Sequence, residues 1–294
     1  MPKPERAVDD ALKPAAPGLP IPSDLPPGWL RPAFSAARVG ALMTSRHGGV
    51  SQAPYDSLNL RPGLGDDDAA VAENRARVAL HCAGAGVLLQ QVHGTACVML
   101  TGAALPPMPV ADASGSTTPG VVCEIQVADC LPVLLADRHG RGVAVAHAGW
   151  RGLAGGVVQG ALAQLCEASG AAPHQVEAWL GPCIGPRRFE VGADVLHAFA
   201  VAAAPPACFV PLPRSAAAAG TAAAEPGRAG PVADKWLADL PGLARHLLVQ
   251  AGVASVAGND GSPAWCTVEN THYYSYRREL GRTGRQAAYI WLRA

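Results

Sequence analysis

The sequence predicts an α/β or α+β fold. Short apolar runs of strand length alternate with stretches of helical spacing. Several of these runs are rich in β-branched residues and end in turns. The 294-residue chain is long enough to bury a sizeable core, as one large domain or two small ones.

The elements follow in order. Residues 121–127 are β-branched and read as a strand. Residues 131–136 form a short, almost wholly apolar run, as a strand buried on both faces requires. Residues 142–148 (GVAVAHA) repeat that pattern. Residues 155–169 place Val158, Leu162, Leu165 and Cys166 on one helical face. Residues 176–180 read as a strand, and 237–251 as a helix behind the acidic residues Asp234 and Asp239. Residues 287–292 form a last apolar strand.

Two segments stand apart. Residues 1–37 hold nine of the 27 prolines and carry no apolar period, so they read as a loose tail before a domain over 38–294. Residues 201–233 hold alanine runs broken by Gly and Pro, which reads as a surface insertion.

Composition excludes several functions. Twenty-three basic and 23 acidic residues leave no excess charge for nucleic acid. No apolar run approaches the ~18–20 residues that span a bilayer. The first thirty residues lack the apolar stretch of a signal peptide, which makes the cytosol the expected compartment. Eight cysteines in a chain of this kind, with no C-x-x-C pair, read as reduced thiols. The P-loop, the G-x-S-x-G elbow, H-E-x-x-H and a strand-borne G-x-G-x-x-G are all absent.

Three short segments place polar residues at strand ends or turns: Gln91-Val92-His93-Gly94, Ala128-Asp129-Cys130, and His147-Ala148-Gly149-Trp150-Arg151-Gly152. Two imidazoles and one thiolate make a three-ligand set for Zn²⁺ that leaves a fourth position open, the pattern of a catalytic site. Spacing alone also allows each of these residues to be ordinary packing.

In order, these segments resemble the laccase-domain family, also called the multicopper polyphenol oxidoreductase or YfiH-like family. The resemblance runs from about Arg38 to Leu292. It takes in the blocks 44–51, 54–60, 65–67 and 73–75, then 181–186, 189–192, 275–278 and 283–285. It implies a single domain with a mixed β-sheet core flanked by helices, and one zinc held by His93, Cys130 and His147. It also implies phosphorolysis of adenosine, inosine and methylthioadenosine, together with deamination of adenosine. Small nucleosides and phosphate are then the expected partners.

For phosphate, Arg46, Arg277 and Arg278 are the candidates, because the guanidinium fork matches an oxyanion. His47 is either a base or substrate contact or a surface histidine. Asn59 either meets a base or ribose edge or stabilises a turn. Trp150 and Tyr276 either stack on a purine or pack at a rim. Asp129 either orients Cys130 or shapes its turn, and Cys183 reads as a structural thiol.

Two alternatives stand beside this reading. Copper in the His₂Cys set would give a polyphenol oxidase, since Cu²⁺ binds such sites more tightly than Zn²⁺. Nine histidines with no H-x-H pair argue against a four-copper cluster. Metal-free chemistry with Cys130 as nucleophile and His147 as base would give a hydrolase; related bacterial proteins are linked to correcting peptidoglycan precursors. Oligomeric state is not legible in the sequence.

Overall fold

Side-chain alternation in one buried strand sets the layering. In Leu131–Asp137, Leu131, Val133 and Leu135 face a helical layer, while Leu134 and Ala136 face a second sheet. A strand apolar on both faces is stable only between two packed layers.

The computed structural model describes residues 24–102, 108–201, 205–213 and 234–294. In chain order its elements are β1 (Val39–Met43), α1 (Asp68–Ala79), β2 (Cys97–Met99), β3 (Ala113–Ser116), β4 (Val122–Val127), β5 (Leu131–Asp137) and β6 (Val143–Ala148). Then come α2 (Trp150–Gly155), α3 (Val157–Ser169), β7 (Val176–Leu180), β8 (Glu190–Val191), α4 (Ala193–Val201) and β9 (Phe209–Pro211). The last are β10 (Trp236–Ala238), α5 (Leu240–Gln250), β11 (Ser255–Gly258) and β12 (Gln286–Leu292).

The central sheet runs β11-β7-β5-β6-β3-β2. It is mixed: β11 and β2 pair parallel with their neighbours, and the inner pairs are antiparallel. On one face it packs against α3 and α5 through Val158, Leu162, Leu165, Leu243 and Leu247. On the other lies the antiparallel sheet β1-β12-β4, with Ile125, Ala288 and Ile290 between them. The outer side of that sheet is covered in turn by Trp29, Leu58, Leu60 and Val78 of α1. A small sheet, β8-β10-β9, lies beside the helical layer. The chain is one α/β domain with a mixed sheet flanked by helices.

Three differences from the sequence reading have clear causes. Residues 155–169 are not one helix: Gly156 takes φ 96°, a left-handed conformation open to glycine, and separates α2 from α3. The stretch 237–251 begins as strand β10, because Leu237 pairs with Glu190 and Val210; the helix starts at Leu240, where the Asp239 carboxylate accepts from the Gly242 N–H.

The third concerns the tail. Residues 1–23 lie outside the described residues, but packed structure begins before Arg38. Trp29 is buried, its indole N–H donates to the His47 carbonyl, and Leu30 bridges Met43. Of the expected insertion, 205–213 include β9, and residues 202–204 and 214–233 lie outside the described residues.

Candidate metal centre

The centre forms where β6 ends, β5 begins and one loop folds back over both. His147 shares the parity of Val143 and Val145, so it points toward the gap between the two sheets. It is 4% exposed. Cys130 immediately precedes β5. His93 sits in the loop before β2 with φ 60°.

Asp112, fully buried just ahead of β3, organises this meeting. Its carboxylate accepts the backbone N–H groups of Val92 (3.1 Å), His93 (2.9 Å) and Gly94 (2.7 Å), which bends the loop around it. The same carboxylate lies 2.8 Å from His147 Nδ1, leaving Nε2 for the cavity. Asp129, at φ 82°, is held by the Thr267 hydroxyl (2.5 Å) and the Arg277 N–H (2.7 Å), which fixes the turn that presents Cys130.

The three donor atoms lie within 4.8 Å of one another, and Cys130 Sγ is 3.7 Å from His93 Nε2. No side chain fits at Gly149: a Cβ there would stand 2.8 Å from His93 Cδ2 and 3.0 Å from Cys130 Sγ. Burial alone would push the Cys130 thiol up; the His147 charge and hydrogen bonds from both histidines outweigh it and bring it down to about 6. Burial would pull His147 down, but the Cys130 and Asp112 charges raise it to about 9. Opposing burial, the His147 and backbone hydrogen bonds hold the Asp112 carboxyl below the usual range.

This donor set fits a transition metal. Two imidazoles and a readily formed thiolate converge, and a carboxylate fixes the tautomer of one imidazole, the usual support of a metal-binding histidine.

The cavity at the centre has a volume of about 590 Å³, within the range of small-molecule sites. Ile184, Phe189 and Leu240 form an apolar wall. Gln91 and Gln126 join Arg61, Arg277 and Arg285 on the polar side.

The family described as multi-copper polyphenol oxidoreductase laccase matches residues 40–293. The chain belongs to this family. Among similar members of the laccase-domain family is a purine nucleoside phosphorylase of Pseudomonas aeruginosa, 45% identical over 90% of this chain and 98% of the relative. Another is the purine nucleoside phosphorylase YfiH of Escherichia coli, 43% identical over 90% and 97%. A solved Neisseria meningitidis member superposes with a TM-score of 0.75 at 41% identity, covering 90% of this chain and 99% of that one. YlmD from Geobacillus stearothermophilus gives 0.76 at 29% identity, covering 91% and 97%. The fold expected of the laccase-domain family is the fold observed.

Of the residues singled out in the sequence, the structure brings His93, Asp129, Cys130, His147, Trp150, Tyr276 and Arg277 to the cavity. Four others do not line it. Arg46 pairs with Glu279 (2.6 Å) and Asp56 (3.3 Å) and lies over the Tyr274 ring. Arg278 donates to the carbonyls of Thr267 and Tyr273, both at 2.5 Å, and pairs with Glu279. His47 contacts His272 across 3.0 Å. Asn59 is fully buried within turn hydrogen bonds.

Each of these four has protein partners in this structure: carboxylates or carbonyls for the two arginines, His272 for His47 and turn hydrogen bonds for Asn59. Sequence reasoning missed Asp112, Arg61, Gln126 and Arg285. Arg285 closes the noticed Thr283-Gly284-Arg285 block, and Arg61 follows Asn59-Leu60 directly; nothing local marks Asp112.

Proposed function

We propose that the protein is a zinc-dependent purine nucleoside phosphorylase that acts on adenosine, inosine and methylthioadenosine and also deaminates adenosine. The observation that carries this reading is the convergence of His93, Cys130 and His147 in a cavity with both guanidinium and apolar walls. Relatives named as purine nucleoside phosphorylases, 43–45% identical over 90% of the chain, support it. Zinc held by the three residues would supply Lewis acidity and an acidified water.

The chain's own residues do the remaining work. Asp112 keeps His147 in one tautomer. Tyr276 and Trp150 offer ring faces to a purine, and Ile184 and Phe189 exclude water beside it. Cavity guanidiniums hold phosphate near C1′, where its charge stabilises the positive ribose that forms as the N-glycosidic bond breaks. The products are free base and ribose 1-phosphate.

Metal analysis joined to product chromatography tests the reading. Adenine should appear from adenosine only with phosphate, inosine should appear without it, and His93→Ala and Cys130→Ala should abolish both. Zinc-replete protein that gives neither product rejects the proposal. A second reading, copper-dependent phenol oxidation, draws on the family description and the His₂Cys set. It requires oxygen uptake with a phenol by copper-loaded protein. A cysteine hydrolase acting on peptidoglycan precursors would instead stay active under chelation.

A further inference from the structure

Seven arginines of this domain have a carboxylate. Arg46, Arg75, Arg77, Arg141, Arg187, Arg188 and Arg278 each lie within ion-pair distance of one. Four arginines line the cavity without a carboxylate at that distance among the described residues; of these Arg151 and Arg277 are exposed, whereas Arg61 and Arg285 are partly buried.

The hydrogen-bond acceptors of this buried pair are neutral oxygens, and the Arg285 guanidinium also lies over the Tyr276 ring, 5.7 Å from its centroid. Arg61 Nη1 donates to the Leu89 carbonyl (2.9 Å) and Gln126 Oε1 (3.2 Å). Arg285 Nη1 donates to the carbonyls of Thr283 and Gly284, both at 3.0 Å. For each, no partner among the described residues takes Nε or Nη2. Glu124, the carboxylate that acts on Arg61, is already held by both terminal nitrogens of Arg75.

One side chain clamps the two together. Asn59 Oδ1 accepts the backbone N–H of Arg61 (3.1 Å) and of Arg285 (3.0 Å). Its amide donates to the Arg61 carbonyl (3.2 Å) and to Asp66 (2.9 Å), and the Leu60 N–H reaches the Arg285 carbonyl. Two like charges withdrawn from water repel, and burial lowers the pKa of each guanidinium. A bound oxyanion removes both penalties through charge-assisted, forked hydrogen bonds.

We propose that Arg61 and Arg285 form a subsite for a phosphoryl oxyanion and that Asn59 is the positioning residue that sets their spacing. This rests on the phosphorylase reading only for the source of the anion, which is either inorganic phosphate or a phosphate ester carried by the substrate.

Calorimetric titration of the zinc-loaded protein tests it, with inorganic phosphate, adenosine and adenosine 5′-monophosphate as probes. Arg61→Gln and Arg285→Gln should each weaken phosphate binding at least about tenfold, the value of one charge-assisted contact. Adenosine binding, the check on an intact cavity, should change less than about twofold. Arg61→Lys and Arg285→Lys, which keep the charge and lose the fork, should fall between wild type and the Gln variants. Asn59→Ser should weaken phosphate binding while adenosine binding holds, a split that a general loss of stability would not produce.

Phosphate bound together with adenosine identifies a free co-substrate. Competition of the monophosphate with both identifies an ester; either result keeps the subsite and names its source. Unchanged phosphate affinity in both Gln variants overturns the proposal. Retained, Arg-dependent phosphate binding without phosphorolysis overturns the phosphorylase reading and leaves the subsite standing.

Discussion

Gly149 has no room for a methyl group, because the space a Cβ would take is occupied by two of the three donor side chains. Gly149→Ala should therefore lower zinc affinity about tenfold or more, by displacing ligands that tolerate little error, while the circular-dichroism spectrum stays that of wild type. Asp112→Asn should cost about 10–100-fold in zinc affinity, the usual effect of removing a metal ligand's carboxylate support, measured by competition with a chelating dye. Chelation itself has a signature. In metal-free protein Cys130 should be the thiol that iodoacetamide labels fastest, with labelling falling as pH drops below about 6. Zinc should protect it, and peptide mass spectrometry reads both effects. Cys97 is pushed up to about 11 and Cys123 to about 12 by burial, so neither competes at neutral pH. At this scale His93, Cys130 and His147 stood out as polar interruptions of apolar or glycine-rich runs, and the family resemblance, not their spacing, set them apart from ordinary packing. Asp112 was not, since its four partners come from other parts of the chain. For Arg46 and Arg278 the sequence shows a charge and conceals Glu279, the carboxylate that pairs with both.

Among the elements, β5 and β6 were plain in the sequence, since a strand covered on both faces must be apolar throughout. β3 was invisible. Ala113-Ser114-Gly115-Ser116 has no strand-favouring side chain, yet all four residues are buried, and a Cβ on Gly115 would stand 2.9 Å from Met99 Sδ. Close packing selected small residues there against their local propensity. The turn from β5 to β6 carries its own fastening. Asp137 accepts from Arg141 Nε (2.7 Å), Nη2 (2.9 Å) and the backbone N–H (3.0 Å). Those Arg141 hydrogen bonds hold the Asp137 carboxyl below the usual range. On acidification the unfolded chain takes up this proton first. The contribution is therefore complete above the ordinary carboxylate pKa of about 4 and is lost as pH falls through the lowered folded value. Asp137→Asn should lower the urea midpoint at pH 7, and the gap to wild type should close in strong acid.

Across the whole molecule, one buried ion pair joins outer layer to sheet. Arg75 of α1 grips Glu124 of β4 through two bonds of 2.8 and 2.9 Å, and Glu124 also receives Gln126, which in turn holds Arg61 at the cavity. Glu124→Ala should destabilise the fold by about 3–5 kcal/mol, because it strands a guanidinium away from water. Arg75→Met combined with Glu124→Leu should recover much of that loss in chemical denaturation. No such partnership between residues far apart in the chain could be read from composition or period.

The order of strands in the outer sheet has a consequence in time. β12 is its middle strand, bonded to β1 on one side and β4 on the other. During synthesis both neighbours emerge long before the strand that joins them, and each waits with an open edge. Arg285 arrives at the threshold of that same late strand. Pairings this distant in sequence form slowly, so the nascent chain passes through a stage in which the metal donors already exist and the wall that faces them does not. Birth order thus makes β1 and β4 the segments most in need of protection from other chains.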